Sequence, residues 1–151
     1  MPVNQKKSSD MAFLFDGIDF VSAAMSHVEW RHLLKSHIEG NAVETWSPNF
    51  ARINNCCDLG LWLTGVGKQK YAHLSAFQLL ENGHNDFHFY AGLMLTCLLE
   101  GHQDEAIALL KNEFSQATRR ILIAINEMNE VLSDLHRLPA KLQANLYPID
   151  Y

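Results

Sequence analysis

His84 and His88 are four residues apart. On a helix that spacing brings two imidazoles to one face, about 6 Å apart at their Cβ atoms and within reach of a single ion. Two nitrogens alone make a weak site. A thiolate from Cys57 and an imidazole from His27, each on a different segment, would add up to three nitrogens and one sulfur, the tetrahedral set that zinc prefers. Read singly, such residues are ordinary: a histidine on an apolar face is commonly a hydrogen-bonded core side chain, and a free cysteine a small buried hydrophobe. Read as a pair on an inward face with little other polarity, His84 and His88 would leave ring atoms unsatisfied at about 1–3 kcal/mol each unless a metal took them. One zinc per chain, held by His27, Cys57, His84 and His88, is therefore expected. Four protein ligands leave no open position for a water nucleophile, which argues against a hydrolase. A di-iron bundle needs two inward-facing Glu-x-x-His pairs; Glu81 with His84 supplies one, whereas in Glu29-x-x-His32 the histidine lies off the apolar seam. No residue is assigned a catalytic role.

Helices must carry these side chains, because apolar residues recur at steps of three and four and nowhere alternate for long. A first helix is expected from about residue 12 to Glu39, with Phe20, Ala24, His27, Leu34 and Ile38 on one face, Ser8, Ser9 or Asp10 as caps and Gly40-Asn41 as its end. Ser47-Pro48 reads as the start of a second helix in which Phe50, Ile53, Cys57 and Leu61 form an inward seam, closed by Gly65-Val66-Gly67. That seam favours Cys57 over its neighbour Cys56 as the ligand. A third helix is expected over about Gln69–Glu100 with His84 and His88 on its seam, and a fourth from Asp104 or Glu105, through Ile107, Leu110, Phe114, Ile121, Met128 and Leu135, to a stop at Pro139. The resulting fold is all-α, an antiparallel four-helix bundle expected to be dimeric: a polar tail over 1–11, the bundle over 12–138 and a poorly ordered tail over 139–151. Cys97 reads as core packing, and His32, His37, His73, His102 and His136 as non-ligands off the seams or near helix ends.

Around the site, Trp30 and Trp62 read as bulky side chains able to keep water from the metal, and Gly60 as room for close approach. Asp58, Glu29, Asp86 and Glu81 read as solvated carboxylates before they read as acceptors for a ligand imidazole.

Composition excludes several classes. The 151 residues, 48% of them apolar, suit one domain with a sizeable core, and 12 basic against 17 acidic residues give a net charge of −5 with no basic patch for nucleic acid. No stretch has the length and apolarity of a membrane span, and the polar start is unlike a signal peptide, so a cytoplasmic protein without membrane insertion is expected. Three cysteines, two of them adjacent, suit metal or thiol chemistry better than a disulfide framework.

The residues His27-Val28-Glu29-Trp30, the block Cys57-x-Leu59-Gly60-x-Trp62 and the pair His84-x-x-x-His88, in that order, resemble the chemoreceptor zinc-binding domain, or CZB, of bacterial chemoreceptors and diguanylate cyclases. The distances between the four residues are similar to those in the zinc-inhibited cyclases of enteric bacteria. The resemblance implies a four-helix bundle that pairs into a homodimer, binds one zinc through three histidines and a cysteine, and signals to an output domain; it also implies that Cys57 is redox-sensitive. No output domain follows the bundle here, so a signalling protein acted on in trans is the expected partner. Asp58 and the extra thiol of Cys56 depart from the family pattern. The expected function is a zinc-binding sensory domain, against two alternatives: an oxidant sensor working through the zinc-bound Cys57 thiolate, and a helical dimerisation module without a metal.

Overall fold

The structure, a computed structural model, describes residues 14–42 and 46–146, and of 144–146 the backbone alone. Helix α1 covers Phe20–Ile38. Its start is set by Asp19, whose carboxylate accepts from the amides of Val21 and Ser22 at 2.9 and 3.2 Å and so satisfies two N–H groups that have no partner inside the helix. The helix thus begins later than the sequence suggests. The residues before it make a tight turn in which Phe15 and Ile18 exchange backbone bonds, and the expected caps Ser8, Ser9 and Asp10 lie outside the described residues. Gly40 ends α1 as expected, with φ +76° and with its amide and that of Asn41 bonded back to His37 and Ser36.

The second helix departs most from expectation. Ser47 does cap it, accepting from the Phe50 amide at 3.1 Å with Pro48 in the first turn, but α2 is only Pro48–Arg52. The chain then leaves the helical path and resumes as α3, Asp58–Thr64, and α4, Val66–Tyr71. Two neighbouring asparagines explain the break, because asparagine side chains compete with the helical ladder; Asn54 binds Asn85 across the gap. The expected seam is therefore absent, and Phe50, Ile53 and Leu61 are 49%, 44% and 58% exposed, while Ala51, Leu59, Trp62 and Leu63 point inward.

Helix α5, Ser75–Leu99, carries the expected inward face. The fourth helix is split by Asn112, whose amide group donates to the Ala108 carbonyl, into α6, Gln103–Lys111, and α7, Glu113–His136. The three-four pattern runs across this corner because both pieces bury the same stripe. Past Pro139, where an unordered tail was expected, a short helix α8 covers Ala140–Leu146.

Among the described residues there is no strand beyond that isolated Phe15–Ile18 bridge, and the chain goes up, down, up and down as the sequence suggests. Phe50 stacks near Trp30 while Trp62 meets Phe20, so α2 to α4 descend along α1. His27 faces His84 and the Gln103 amide reaches the Ile38 carbonyl, so α5 runs parallel to α1. Phe87 meets Phe114 while Gly83 lies beside Ile121, so α7 returns antiparallel to α5. Leu34, Leu80, Phe87, Phe114, Ile121, Met128 and Leu132 are fully buried between them, each contributing about 1.5–3 kcal/mol of transfer free energy.

Gly67 gives a sharp test of how α3 and α4 fit together. A Cβ there would sit 2.5 Å from the ring of buried Trp62, whose Nε1 is tied to the Phe15 carbonyl at 3.1 Å. Gly67→Ala is expected to cost about 1–3 kcal/mol by overpacking, read as a lower thermal midpoint by circular dichroism; an unchanged midpoint would contradict this seat for Trp62.

Candidate metal centre

His27 lies mid-way along α1, and its Nδ1 donates to the Ala23 carbonyl one turn back at 2.7 Å. His88, on α5, donates from Nδ1 to the Ala51 carbonyl at 2.9 Å. That carbonyl is available because α2 ends there, and a helix leaves its last carbonyls without intrahelical partners. Both bonds fix the tautomer and leave Nε2 with its lone pair. His84, one turn before His88, points its Nε2 at the same spot, 3.1 Å from His88 Nε2 and 3.1 Å from Cys57 Sγ. Cys57 is the cap of α3, its sulfur accepting from the Gly60 amide at 3.3 Å. Gly60 can deliver that amide because it has no side chain: a Cβ would lie 2.0 Å from the Asn54 carbonyl oxygen.

The four ligand atoms lie within 4.8 Å of one another. Bonds of about 2.0–2.1 Å to nitrogen and about 2.3 Å to sulfur in a tetrahedron place donor atoms roughly 3.3–3.6 Å apart, and the separations of 3.1 Å from His84 Nε2 to Cys57 Sγ, 3.1 Å from His84 Nε2 to His88 Nε2 and 3.9 Å from His88 Nε2 to Cys57 Sγ bracket that range. The residues fit one zinc. Among the described residues this is the one such group of histidine, cysteine and carboxylate donors.

The electrostatics also favour a cation over protons. Burial, then the imidazoles of His88 and His27, push His84 down to about 2; burial pushes His88 down to about 4, against the opposing bond to Ala51 and with His27 adding to the fall. Burial likewise lowers His27, partly offset by Ala23. All three rings are neutral near pH 7, the form that binds metal. Burial raises the Cys57 thiol, with the Gly60 amide pulling the other way. A bound cation supplies what the site lacks to hold a thiolate.

All four expected ligands therefore converge, though Cys57 does so for a different reason from the one expected: it is chosen over the exposed Cys56 by its capping position, not by a helical seam. The imidazoles are also not left without partners, contrary to expectation, since they bond to carbonyls, to one another and to the thiol. Those carbonyls, Ala23 and Ala51, orient the rings; Glu81 instead pairs with Lys68 at 3.6 Å, and Asp58, Glu29 and Asp86 are exposed. Only the breaking power of Asn54-Asn55 could have pointed to Ala51. Trp30 covers His88 edge-on at 4.9 Å, as expected, and Phe87 closes the other side at 5.0 Å from His27. Trp62 is displaced from the metal position toward the N-terminal turn, where it packs on Phe20 at 5.3 Å. Cys97 is buried in the core. His37 is spent on Leu33 and the Trp46 amide, His102 on Glu100 and Glu105, and His136 on the Leu132 carbonyl and the Phe15 ring.

One long-range connection escaped the sequence reading. Phe15 accepts from Trp62 through its carbonyl and lays its ring 5.0 Å from that of His136, the last residue of α7. Asp16, at φ +54°, holds Lys70 and, at 2.6 Å, the Tyr71 hydroxyl. The turn before α1 thus straps α3 and α4 to the end of α7.

Residues 27–95 match the family model of the chemoreceptor zinc-binding domain. All four converging residues lie inside that match, and their arrangement fits the zinc site of the family. No curated protein and no solved structure matches the chain.

Acid should weaken the metal-free protein through these rings. The unfolded chain takes protons near 6.5, whereas folded His88 and His84 refuse them until about 4 and about 2. Because the folded values are depressed, stability is intact above about pH 6.5 and falls below it, by up to about 1.4 kcal/mol per pH unit for each ring until that ring's folded value is reached. Denaturant midpoints of chelator-treated protein between about pH 7.5 and about pH 4.5 measure this, and a flat profile would contradict the burial.

Proposed function

We propose, from a chain that matches the chemoreceptor zinc-binding domain over residues 27–95, that this protein is a regulatory sensor that responds to zinc. His27, Cys57, His84 and His88 are its ligands, and no residue is catalytic. The observation that carries this is the convergence of three neutral imidazoles and one thiol at near-tetrahedral spacing. Zinc, when bound, supplies charge that holds Cys57 as a thiolate and cross-links α1, α5 and the start of α3.

The signal leaves through α3. Fixing Cys57 fixes the segment it caps, which carries Trp62, and through Phe15 the N-terminal turn that packs on His136. The end of α7 is thus the output, read by a signalling protein in trans or across a homodimer. A pairing surface is available on α1, where Val21, Met25 and Val28 form an exposed apolar row. The regular three-four pattern of α7 is not that surface, since Ile121 and Met128 are fully buried. The bundle is one unit of about residues 12–138, and no helix among those described is long and apolar enough to cross a membrane; a cytoplasmic setting suits a thiol ligand that must stay reduced.

A second reading takes oxidation of Cys57 as the input. What favours it is that Cys57 is only partly buried while the three histidines are buried, so the sulfur is the ligand that solvent reaches. Oxidant would convert the zinc thiolate to a sulfenic acid and release the ion.

Titration of chelator-treated protein is expected to end at one zinc per chain and to stabilise the fold by about 2.7 kcal/mol at a hundredfold excess over the dissociation constant, read as a higher thermal midpoint. Cys57→Ala should lose most of that gain. Protein purified without chelator that carries less than about a tenth of an equivalent, and melts the same after Cys57→Ala, would leave a helical module without a metal. Unchanged zinc affinity after mild oxidation would eliminate the oxidant reading. Phe15→Ala should leave zinc affinity within about twofold but abolish the zinc-induced slowing of amide exchange over 133–136; retained slowing would place the route elsewhere.

A further inference from the structure

The three histidines are 3%, 1% and 1% exposed, so an ion reaches them only through an opening in the bundle. Two sides are closed by aromatic rings. Trp30 covers His88 and Phe87 lies against His27, and an aromatic wall offers nothing in exchange for the hydration of a dication. One side differs. A cleft of about 260 Å³ lies between α3, α4 and α5, with His84 and Gly60 among the residues that line it. His84 is itself a proposed ligand, and Gly60 donates the amide that holds Cys57 Sγ.

Apart from Leu63, the rest of the lining is polar. Glu81 lies one turn before His84 on α5, and Asn85 one turn before His88 on the same stripe. Glu81 pairs with Lys68 across the cleft at 3.6 Å, and both side chains retain solvent contact. Asn54, from the non-helical segment that leads to Cys57, joins its amide to that of Asn85.

We propose that this cleft is the passage by which zinc enters and leaves the site: Glu81 is the carboxylate on which the hydrated ion first docks, and the Asn54–Asn85 contact is the latch that opens to let it reach His84. The inference rests on the zinc reading above and adds a kinetic role for residues that are not ligands. Oxygen donors bind a hydrated dication weakly, and nitrogen and sulfur donors hold zinc tightly, so the ion moves inward from Glu81 to the four ligands. Lys68 competes with the ion for that carboxylate. Because a docking group lies on the path of both uptake and release, removing it changes the two rates together and leaves their ratio alone.

Stopped-flow uptake of zinc by chelator-treated full-length protein, and release of zinc into a chromophoric chelator, test this. In Glu81→Gln both rates should fall about two- to fivefold, the scale of one partly screened charge interaction, with the dissociation constant nearly unchanged. The slowing of uptake by added salt should also weaken, a response that a merely structural residue would not alter. Asn85→Ala, at an exposed position, should speed both rates. If the wild type binds zinc but neither variant changes its rates, or if Glu81→Gln changes release alone and shifts the affinity, the passage is wrong and the zinc site stands. If the wild type binds no zinc, the sensor reading falls, and the passage falls with it.

Discussion

Packing three imidazoles against one another in an aromatic core is the constraint on which the rest of the structure depends. Each ring has two nitrogens to satisfy, and none can take a proton cheaply so far from water. The solution divides the rings by atom. Nδ1 of His27 and of His88 goes to a backbone carbonyl, and the Nε2 atoms of His84 and His88 meet each other and the thiol. The interrupted second helix follows from this. In a continuous helix the Ala51 carbonyl would be spent on the amide of residue 55, and His88 would lose its acceptor. Ending α2 at Arg52 frees the carbonyl, and restarting at Asp58 puts Cys57 in a cap position where its sulfur takes the Gly60 amide.

Such a site links metal binding to folding. The ligands come from α1, α5 and the start of α3, so the binding free energy is also free energy that holds three segments together. The weakest of them locally is 53–57, which has no helical ladder of its own. In the proposed sensor this is where order is gained, and Trp62, Phe15 and His136 form a contiguous packed path from there to the last residue of α7. The free-energy difference between states lies in a short loop and a strap, and the long helices need not move.

How much could be read from the sequence depended on whether the signal was local. His84 and His88 were legible because their spacing fits the period of α5, and that helix runs unbroken from Ser75 to Leu99 in spite of Gly83 and Gly92. The helix ends at Gly40 and Ser47 were legible from turn and cap chemistry. Cys57 was identified through a seam that does not exist, since Phe50, Ile53 and Leu61 face solvent; the asparagine pair before it carried the information that the helix stops. Asn112 misled in the same way, because a stripe that is buried on both sides of a corner keeps its period across it. The carbonyl partners of the imidazoles, the Asn54–Asn85 contact and the strap from Phe15 to Trp62 and His136 join residues far apart in the chain, and no local pattern encodes them.

The central claim is that one ion is held by three imidazole nitrogens and the sulfur of Cys57, with no further ligand. X-ray absorption at the zinc edge of the loaded protein measures this directly. Three nitrogen neighbours at about 2.0 Å and one sulfur at about 2.3 Å are expected, with the sulfur lost in Cys57→Ala. A wild-type shell without sulfur, or one with an added oxygen and a coordination number above four, would contradict the closed site.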